Sequence, residues 1–133
     1  MLTKYSIRTL KRVEFLDITS RVDEAVRQSG VIEGIAIVFC PHTTAGITIN
    51  ENADPSVVLD MINKTSKLIE EGDNAYRHAE GNSDSHIKSS LFGASLTLII
   101  DGGRPLLGTW QGVYFAEFDG PRERIFYVKV IEG

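Results

Sequence analysis

The stretch Thr109-Trp110-Gln111-Gly112-Val113-Tyr114-Phe115-Ala116-Glu117-Phe118-Asp119-Gly120-Pro121-Arg122-Glu123-Arg124-Ile125-Phe126-Tyr127-Val128-Lys129-Val130-Ile131 decides the fold class. Thr109 to Phe118 and Arg122 to Ile131 are rich in β-branched and aromatic residues, and Asp119-Gly120-Pro121 separates them. That pattern reads as an antiparallel strand pair joined by a turn. Working back toward the N-terminus, Leu96 to Ile100 and Gly34 to Cys40 are continuous apolar runs, expected as strands buried on both faces. Ile47 and Ile49 alternate with Thr48 and Asn50, and Tyr5, Ile7 and Thr9 alternate with Lys4, Ser6 and Arg8, so two further strands have one wet face.

Helical signals are fewer. Thr19 or Ser20 is placed to cap a short helix carrying Val22, Ala25 and Val26 on one side, with Gly30 as its stop. Asp54-Pro55 is a strong helix start, since the carboxylate accepts from free amides and proline loses nothing at the first helical position. Val58, Met61, Ile62, Thr65, Leu68 and Ile69 then recur at helical spacing to about Glu70. Residues 72–85 form a long polar connection of the kind that is usually functional or disordered. Ser83-Asp84-Ser85 caps a last short helix through His86, Ile87, Ser90 and Leu91, ended by Gly93. Strands outnumber helices and come in runs, which predicts one α+β domain over residues 1–133: mainly antiparallel, sandwich-like sheet with two or three helices.

Composition narrows the partners. The 133 residues carry a net charge of −4, the wrong sign for a nucleic-acid binder. No apolar run is long enough to span a bilayer and the N-terminus lacks a signal-peptide pattern, so a soluble cytoplasmic protein is expected. A lone cysteine, Cys40, rules out an intramolecular disulfide and a cysteine-based zinc site.

The chemistry points to the three histidines. His42 lies in Pro41-His42-Thr43-Thr44-Ala45-Gly46, while His78 and His86 bracket Ala79-Glu80-Gly81-Asn82-Ser83-Asp84-Ser85. All three sit among small polar or acidic residues rather than along apolar stripes. Three neutral imidazoles with an open position make the usual layout of a catalytic zinc site. The spacing from His78 to His86 is not a compact zinc motif, so the nearby acids carry more of the argument. Glu51 and Asp54 follow His42, and Glu80 and Asp84 lie between the other two. Any of these can orient an imidazole or act as base toward a metal-bound water. Asp54 also reads as a helix cap, whereas Glu51 at a strand end is the better placed base.

Anion-binding candidates form a second set. Lys88, Ser89 and Ser90 follow His86 on the short helix. Gly102-Gly103-Arg104 and Gly108-Thr109-Trp110-Gln111-Gly112 bring backbone amides beside strands, without matching any nucleotide fingerprint. Arg122 and Arg124 have the charge to clamp a phosphate, although charges flanking a hairpin turn are usually solvated. Trp110 reads first as a core or interface anchor.

At these residues the chain resembles the YjbQ-like family of small proteins, often labelled secondary thiamine-phosphate synthases. The resemblance rests on His42-Thr43-Thr44-Ala45-Gly46, on Ile49-Asn50-Glu51-Asn52-Ala53-Asp54-Pro55, on Ser85-His86-Ile87-Lys88-Ser89-Ser90 and on Gly108-Thr109-Trp110-Gln111-Gly112. His78-Ala79-Glu80-Gly81 is similar to the family's histidine-containing loop, and the likeness runs from about Lys4 onward. It implies a sandwich-like α+β fold, a homotrimer, and His42, His78 and His86 converging on one metal, zinc or a similar divalent transition ion. It also implies an activity joining hydroxymethylpyrimidine diphosphate to a thiazole phosphate with release of pyrophosphate. On that reading Glu51, Asp54 and Lys88 serve catalysis, with Lys88 neutralising the leaving diphosphate. Ser89, Arg104, Thr109, Trp110 and Gln111 contact the small phosphorylated substrate. Magnesium usually assists a leaving diphosphate, so Glu51, Asp54 and Asp84 are candidates to hold one. Two other functions fit the same residues: a metal-dependent hydrolase of a phosphorylated or carbonyl substrate with Glu51 as base, and a non-catalytic trimeric module binding a ligand or metal.

Overall fold

Eight strands and three helices make up the computed structural model, which describes residues 1–133. In chain order they are β1 (Leu2–Arg8), β2 (Glu14–Asp17), α1 (Thr19–Ser29), β3 (Gly34–Phe39), β4 (Ala45–Glu51), α2 (Pro55–Leu68), α3 (Ser83–Phe92), β5 (Ser95–Asp101), β6 (Arg104–Pro105), β7 (Gln111–Glu117) and β8 (Glu123–Glu132). A five-stranded sheet runs in the order β1-β8-β3-β5-β6, and a three-stranded sheet in the order β2-β7-β4. All pairings are antiparallel. The α+β class with two or three helices is therefore the observed one.

The strands β7 and β8 form where expected, but they are not a hairpin. β7 lies between β2 and β4, while β8 lies between β1 and β3. Two strand-forming runs around a turn specify proximity in sequence and say nothing about which sheet each joins. Here the connection 118–122 carries the chain from one sheet to the other. Gly120 sits at the tightest point: a Cβ there would stand 2.3 Å from the Lys11 carbonyl oxygen.

Both sheets send apolar side chains into one core, including Ala36, Val38, Leu98, Ile100, Phe115, Phe126 and Val128, with Val22, Ala25 and Val26 of α1 packed against it. The two apolar runs expected to be buried on both faces are buried on one. In β3, Ala36 and Val38 point inward, but Ile35 and Phe39 are exposed; in β5, Leu98 and Ile100 are buried while Ile99 is exposed. The outer face of the larger sheet is thus apolar and uncovered in the single chain.

The helix ends also differ in detail. Asp54 caps α2 as expected, its carboxylate accepting from Ser56 N at 2.9 Å. α1 starts at Thr19, so neither Thr19 nor Ser20 is the cap; the Asp17 carboxylate accepts from Thr19 N instead. α3 begins at Ser83 with Asn82 flanking it, one residue earlier in role than the sequence pattern suggested. Gly30, at φ 72°, closes α1 in the left-handed conformation that glycine adopts without a Cβ penalty. No residue of α2 is buried, despite its apolar spacing.

Candidate functional site: the histidine cavity

The β3–β4 loop, the α2–α3 loop with the start of α3, and the β7–β8 crossing meet around a cavity of about 450 Å³. His42, His78 and His86 all line it, so three rings far apart in the chain share one wall. Apart from Pro41 and Thr43, the remaining lining comes from Thr44, Glu80, Asn82, Asp119, Arg122 and Arg124. Most ligand pockets are largely apolar; a lining this polar suits a charged, hydrogen-bonding ligand.

His42 owes its place to the departure of β3 at Pro41. Phe39 is the last residue of β3 opposite Tyr127 on β8, and the next rung on that edge belongs to Ile125. The His42 ring takes it: Nε2 lies 3.0 Å from Ile125 N and 3.1 Å from Ile125 O. Burial pushes the His42 pKa below its usual value, and the charge of Arg124 adds to this; the bond with Ile125 opposes it more weakly. His42 is therefore a neutral imidazole at physiological pH.

His78 and His86 stand edge to face with ring centres 5.3 Å apart. His78 Nε2 lies 3.8 Å from a Glu80 carboxylate oxygen. His42 thus has a companion of the kind ligating imidazoles use on their second nitrogen, a backbone carbonyl, while the Glu80 carboxylate stays beyond hydrogen-bond distance of His78. By donor chemistry the set fits zinc. As the side chains stand, however, no three His, Cys, Asp or Glu groups are drawn together closely enough to hold one ion.

A buried ion pair fixes the floor of the cavity. Glu117 is fully buried, and its carboxylate accepts from Arg124 Nε and Nη2, from Thr9 Oγ1 and from the amides of Phe118 and Asp119. Arg124 Nη2 also donates to Thr44 Oγ1 at 2.8 Å. This pair ties the last residue of β7 to the start of β8 across the sheet crossing. On the rim, Arg122 donates to Asp119 Oδ2 at 3.0 Å, and Asn82 Nδ2 donates to the same oxygen at 2.7 Å.

A second network holds α3 from behind. Arg12 donates to both oxygens of the fully buried Asp84, at 3.1 and 3.0 Å, and Lys88 Nζ lies 3.3 Å from Asp84 Oδ2. Burial pushes the Asp84 carboxyl up, but the bonds and charges of Arg12 and Lys88 outweigh it and hold it below the usual carboxylate range. Ser85 Oγ donates to Phe118 O, and Ser89 Oγ donates to Ala45 O at 2.7 Å, so α3 is pinned to both the β7–β8 crossing and β4.

Several residues singled out from the sequence stand elsewhere. Lys88 is 2% exposed and does not line the cavity; within the chain it neutralises Asp84 rather than a ligand. Ser89 is likewise spent on Ala45, and Asp84 is too enclosed by cations to hold magnesium. Glu51 and Asp54 are occupied with the start of α2, where Glu51 Oε2 accepts from Asp54 N at 3.1 Å. Glu51 pairs with Gln111 at one end of β7, while Ala45 pairs with Glu117 at the other. Six strand steps of about 3.4 Å put some 20 Å between these ends. Thr109, Trp110 and Gln111 share the end remote from the histidines, Trp110 being well exposed. Arg104 lines a separate depression beside Asp17 and Asp23.

Residues 3–133 match the family described as UPF0047 protein YjbQ-like. The chain belongs to that family. A UPF0047 protein of Methanocaldococcus jannaschii is 63% identical over 131 residues, covering 98% of this chain and 94% of its own. YugU of Bacillus subtilis, another UPF0047 protein, is 50% identical over 131 residues, covering 98% and 99%. Among solved structures, a YjbQ/UPF0047 family protein of Clostridium acetobutylicum superposes with a TM-score of 0.95 at 54% identity, covering 97% of this chain and 99% of that one. No helix of the present structure is long and apolar enough to cross a membrane.

Asn82, Asp119, Glu117 and Arg12 are the site-building residues that sequence reasoning missed. Glu117 carried a signal, being the one acid inside the apolar run from Val113 to Phe118.

Proposed function

We propose that this YjbQ-like protein is a small metal-dependent enzyme that handles phosphorylated substrates in the cavity of His42, His78 and His86. Its reaction is the one its family resemblance implies. The methylene carbon of hydroxymethylpyrimidine diphosphate leaves its diphosphate oxygen and bonds to the ring nitrogen of the thiazole phosphate, releasing pyrophosphate. The observation that carries this reading is that all three histidines line one polar cavity together with Arg122 and Arg124.

Zinc held by the three imidazoles would supply the positive charge that two arginines facing Glu80 and Asp119 do not provide alone. His42 would use Nδ1 for the metal while Nε2–H donates to Ile125 O, and His78 and His86 would swing toward it from the α2–α3 loop side. Arg124, locked by Glu117, would present its guanidinium edge to a phosphoryl oxygen without reorganising. Arg122, on the exposed rim, would follow the phosphate as it enters.

The protein is further proposed to be a cytoplasmic homotrimer. Two features support association: the uncovered apolar face of Ile35, Phe39 and Ile99, and an amphipathic α2 with no buried residue. A hydrolase with Glu51 as base is less well supported, because Glu51 lies at the far end of β4 from the histidines within the chain.

Purified protein, incubated with both thiamine precursors and zinc, is expected to release pyrophosphate only when both are present. His86→Ala is expected to lose bound zinc, measured by elemental analysis, and to lose turnover while keeping its circular dichroism spectrum. Full zinc content in that variant, or no pyrophosphate from the parent protein, counts against the proposal.

A further inference from the structure

Asn82 Oδ1 is the one buried side-chain polar atom in the molecule without a hydrogen-bond partner. Its orientation is not arbitrary. The other end of the amide faces Asp119 Oδ2 at 2.7 Å, and a carboxylate oxygen accepts, so the nitrogen must point there and the oxygen must point away. Asn82 is 8% exposed and lines the histidine cavity. An acceptor so enclosed and unpaired costs free energy until something donates to it. Nothing in the protein does.

The same cavity offers cations in a fixed setting. Arg124 commits Nε and Nη2 to Glu117 and Thr44, which leaves Nη1 as its remaining donor. Arg122 commits Nε and Nη2 to Asp119. A ligand that satisfies the whole lining therefore needs oxyanion acceptors for the arginines and, separately, a donor for Asn82. A fully ionised phosphate alone has no proton to give and would face the amide oxygen with a lone pair.

We infer that the cavity recognises a phosphate ester carrying its own hydroxyl or amino donor, and that Asn82 Oδ1 reads that donor. This rests on the phosphorylated-substrate reading above and adds which feature of the substrate Asn82 recognises. Asn82 is a specificity residue on this account, with no part in bond breaking. A cavity of about 450 Å³ accommodates an ester of that kind with a small ring or a short chain.

Matched probes test it: ethyl and propyl phosphate against 2-hydroxyethyl and 3-hydroxypropyl phosphate, titrated calorimetrically into the full-length protein in zinc-containing buffer. At least one hydroxyalkyl ester is expected to bind about tenfold tighter than its alkyl partner. Asn82→Leu is expected to erase that difference. Asn82→Ala, which removes the acceptor and costs α3 no capping bond because the Asn82 side chain makes none, is expected to do the same and covers the case in which the leucine variant fails to fold. Equal binding of alkyl and hydroxyalkyl esters by the parent protein, or a difference that survives in the soluble variant, overturns the inference alone. Binding of none of the four esters overturns the phosphorylated-substrate reading and this inference with it.

Discussion

Removing Asp84 should destabilise the protein more than removing Lys88, and removing both should cost no more than removing Asp84. Lys88 is 2% exposed and its one bond partner is Asp84, whereas Asp84 is also held by two bonds from Arg12. Asp84→Ala strands a buried ammonium, a situation worth about 3–5 kcal/mol. Arg12 loses the same partner but is 30% exposed at its side chain, so water takes over. Lys88→Met removes one charged hydrogen bond, about 1.5–3 kcal/mol, while Asp84 stays paired. In the double variant no uncompensated charge remains, so the two costs should overlap by at least about 1.5 kcal/mol. Urea unfolding of the four proteins at one protomer concentration and pH 7 gives the cycle. The parent should also lose stability as pH falls through the depressed Asp84 pKa. Because the folded value lies below the unfolded one, the contribution is complete above about pH 4 and disappears in acid, and Asp84→Ala should lack this component. A cost below about 1 kcal/mol for Asp84→Ala, or strict additivity within about 0.5 kcal/mol, would refute the reasoning. Lys88→Met should also leave phosphate-ester affinity unchanged, because Lys88 does not reach the cavity.

His42 should titrate below the ordinary imidazole value of about 6.5. Its folded pKa lies below the unfolded one, so its contribution to stability is intact above about pH 6.5 and declines as pH drops; NMR of the ring protons reads the midpoint, and a value above 6.5 refutes the burial argument. Cys40, 1% exposed and pushed up to about 11, should resist iodoacetamide at pH 8 in the native protein and react once urea is added. Gly34→Ala should cost roughly 1–3 kcal/mol in urea unfolding, since its Cβ would collide with the Ile131 carbonyl oxygen on the paired strand β8. A neutral result there would mean that β3 and β8 part easily.

What could be read from the sequence followed the range of the physical signal. Strand runs, the Asp54-Pro55 start of α2 and the Gly30 stop of α1 are local and were legible. So was the polar setting of the histidines, although local pattern does not say how closely the three rings approach one another. Sheet membership was not legible: the 109–131 stretch has the same local pattern whether its turn folds back or crosses between sheets. That one ambiguity hid the floor of the site. Charges flanking a hairpin turn are solvated, but Arg124 beside a crossing is carried into the corner and meets Glu117. Lys88 misled for a related reason. A lysine two residues after His86 looks available to a ligand until the fold shows that it lies on the buried face of α3, one turn after Asp84, where that carboxylate also meets Arg12. The apolar run of β3 likewise cannot reveal whether its outer face is covered by its own chain.

The crossing also shapes the histidine end of the fold, the end proposed above to be the reactive one. At the opposite end of β7, side chains such as Gln111 bond to local backbone, with Gly108 N donating to Gln111 Oε1 at 2.8 Å. At the crossing, β3 has left the sheet and Ile125 presents both its N–H and its C=O to a single ring nitrogen. One nitrogen cannot accept and donate at once, so His42 must leave one of the two backbone groups to other partners. With Nε2 protonated and donating to the carbonyl, Nδ1 keeps a lone pair with which it could ligate a metal. With Nε2 accepting from the amide, Nδ1 carries the proton and is a donor to an oxyanion. The backbone therefore offers His42 two neutral forms with opposite chemistry, and a ligand bound at Nδ1 would decide between them.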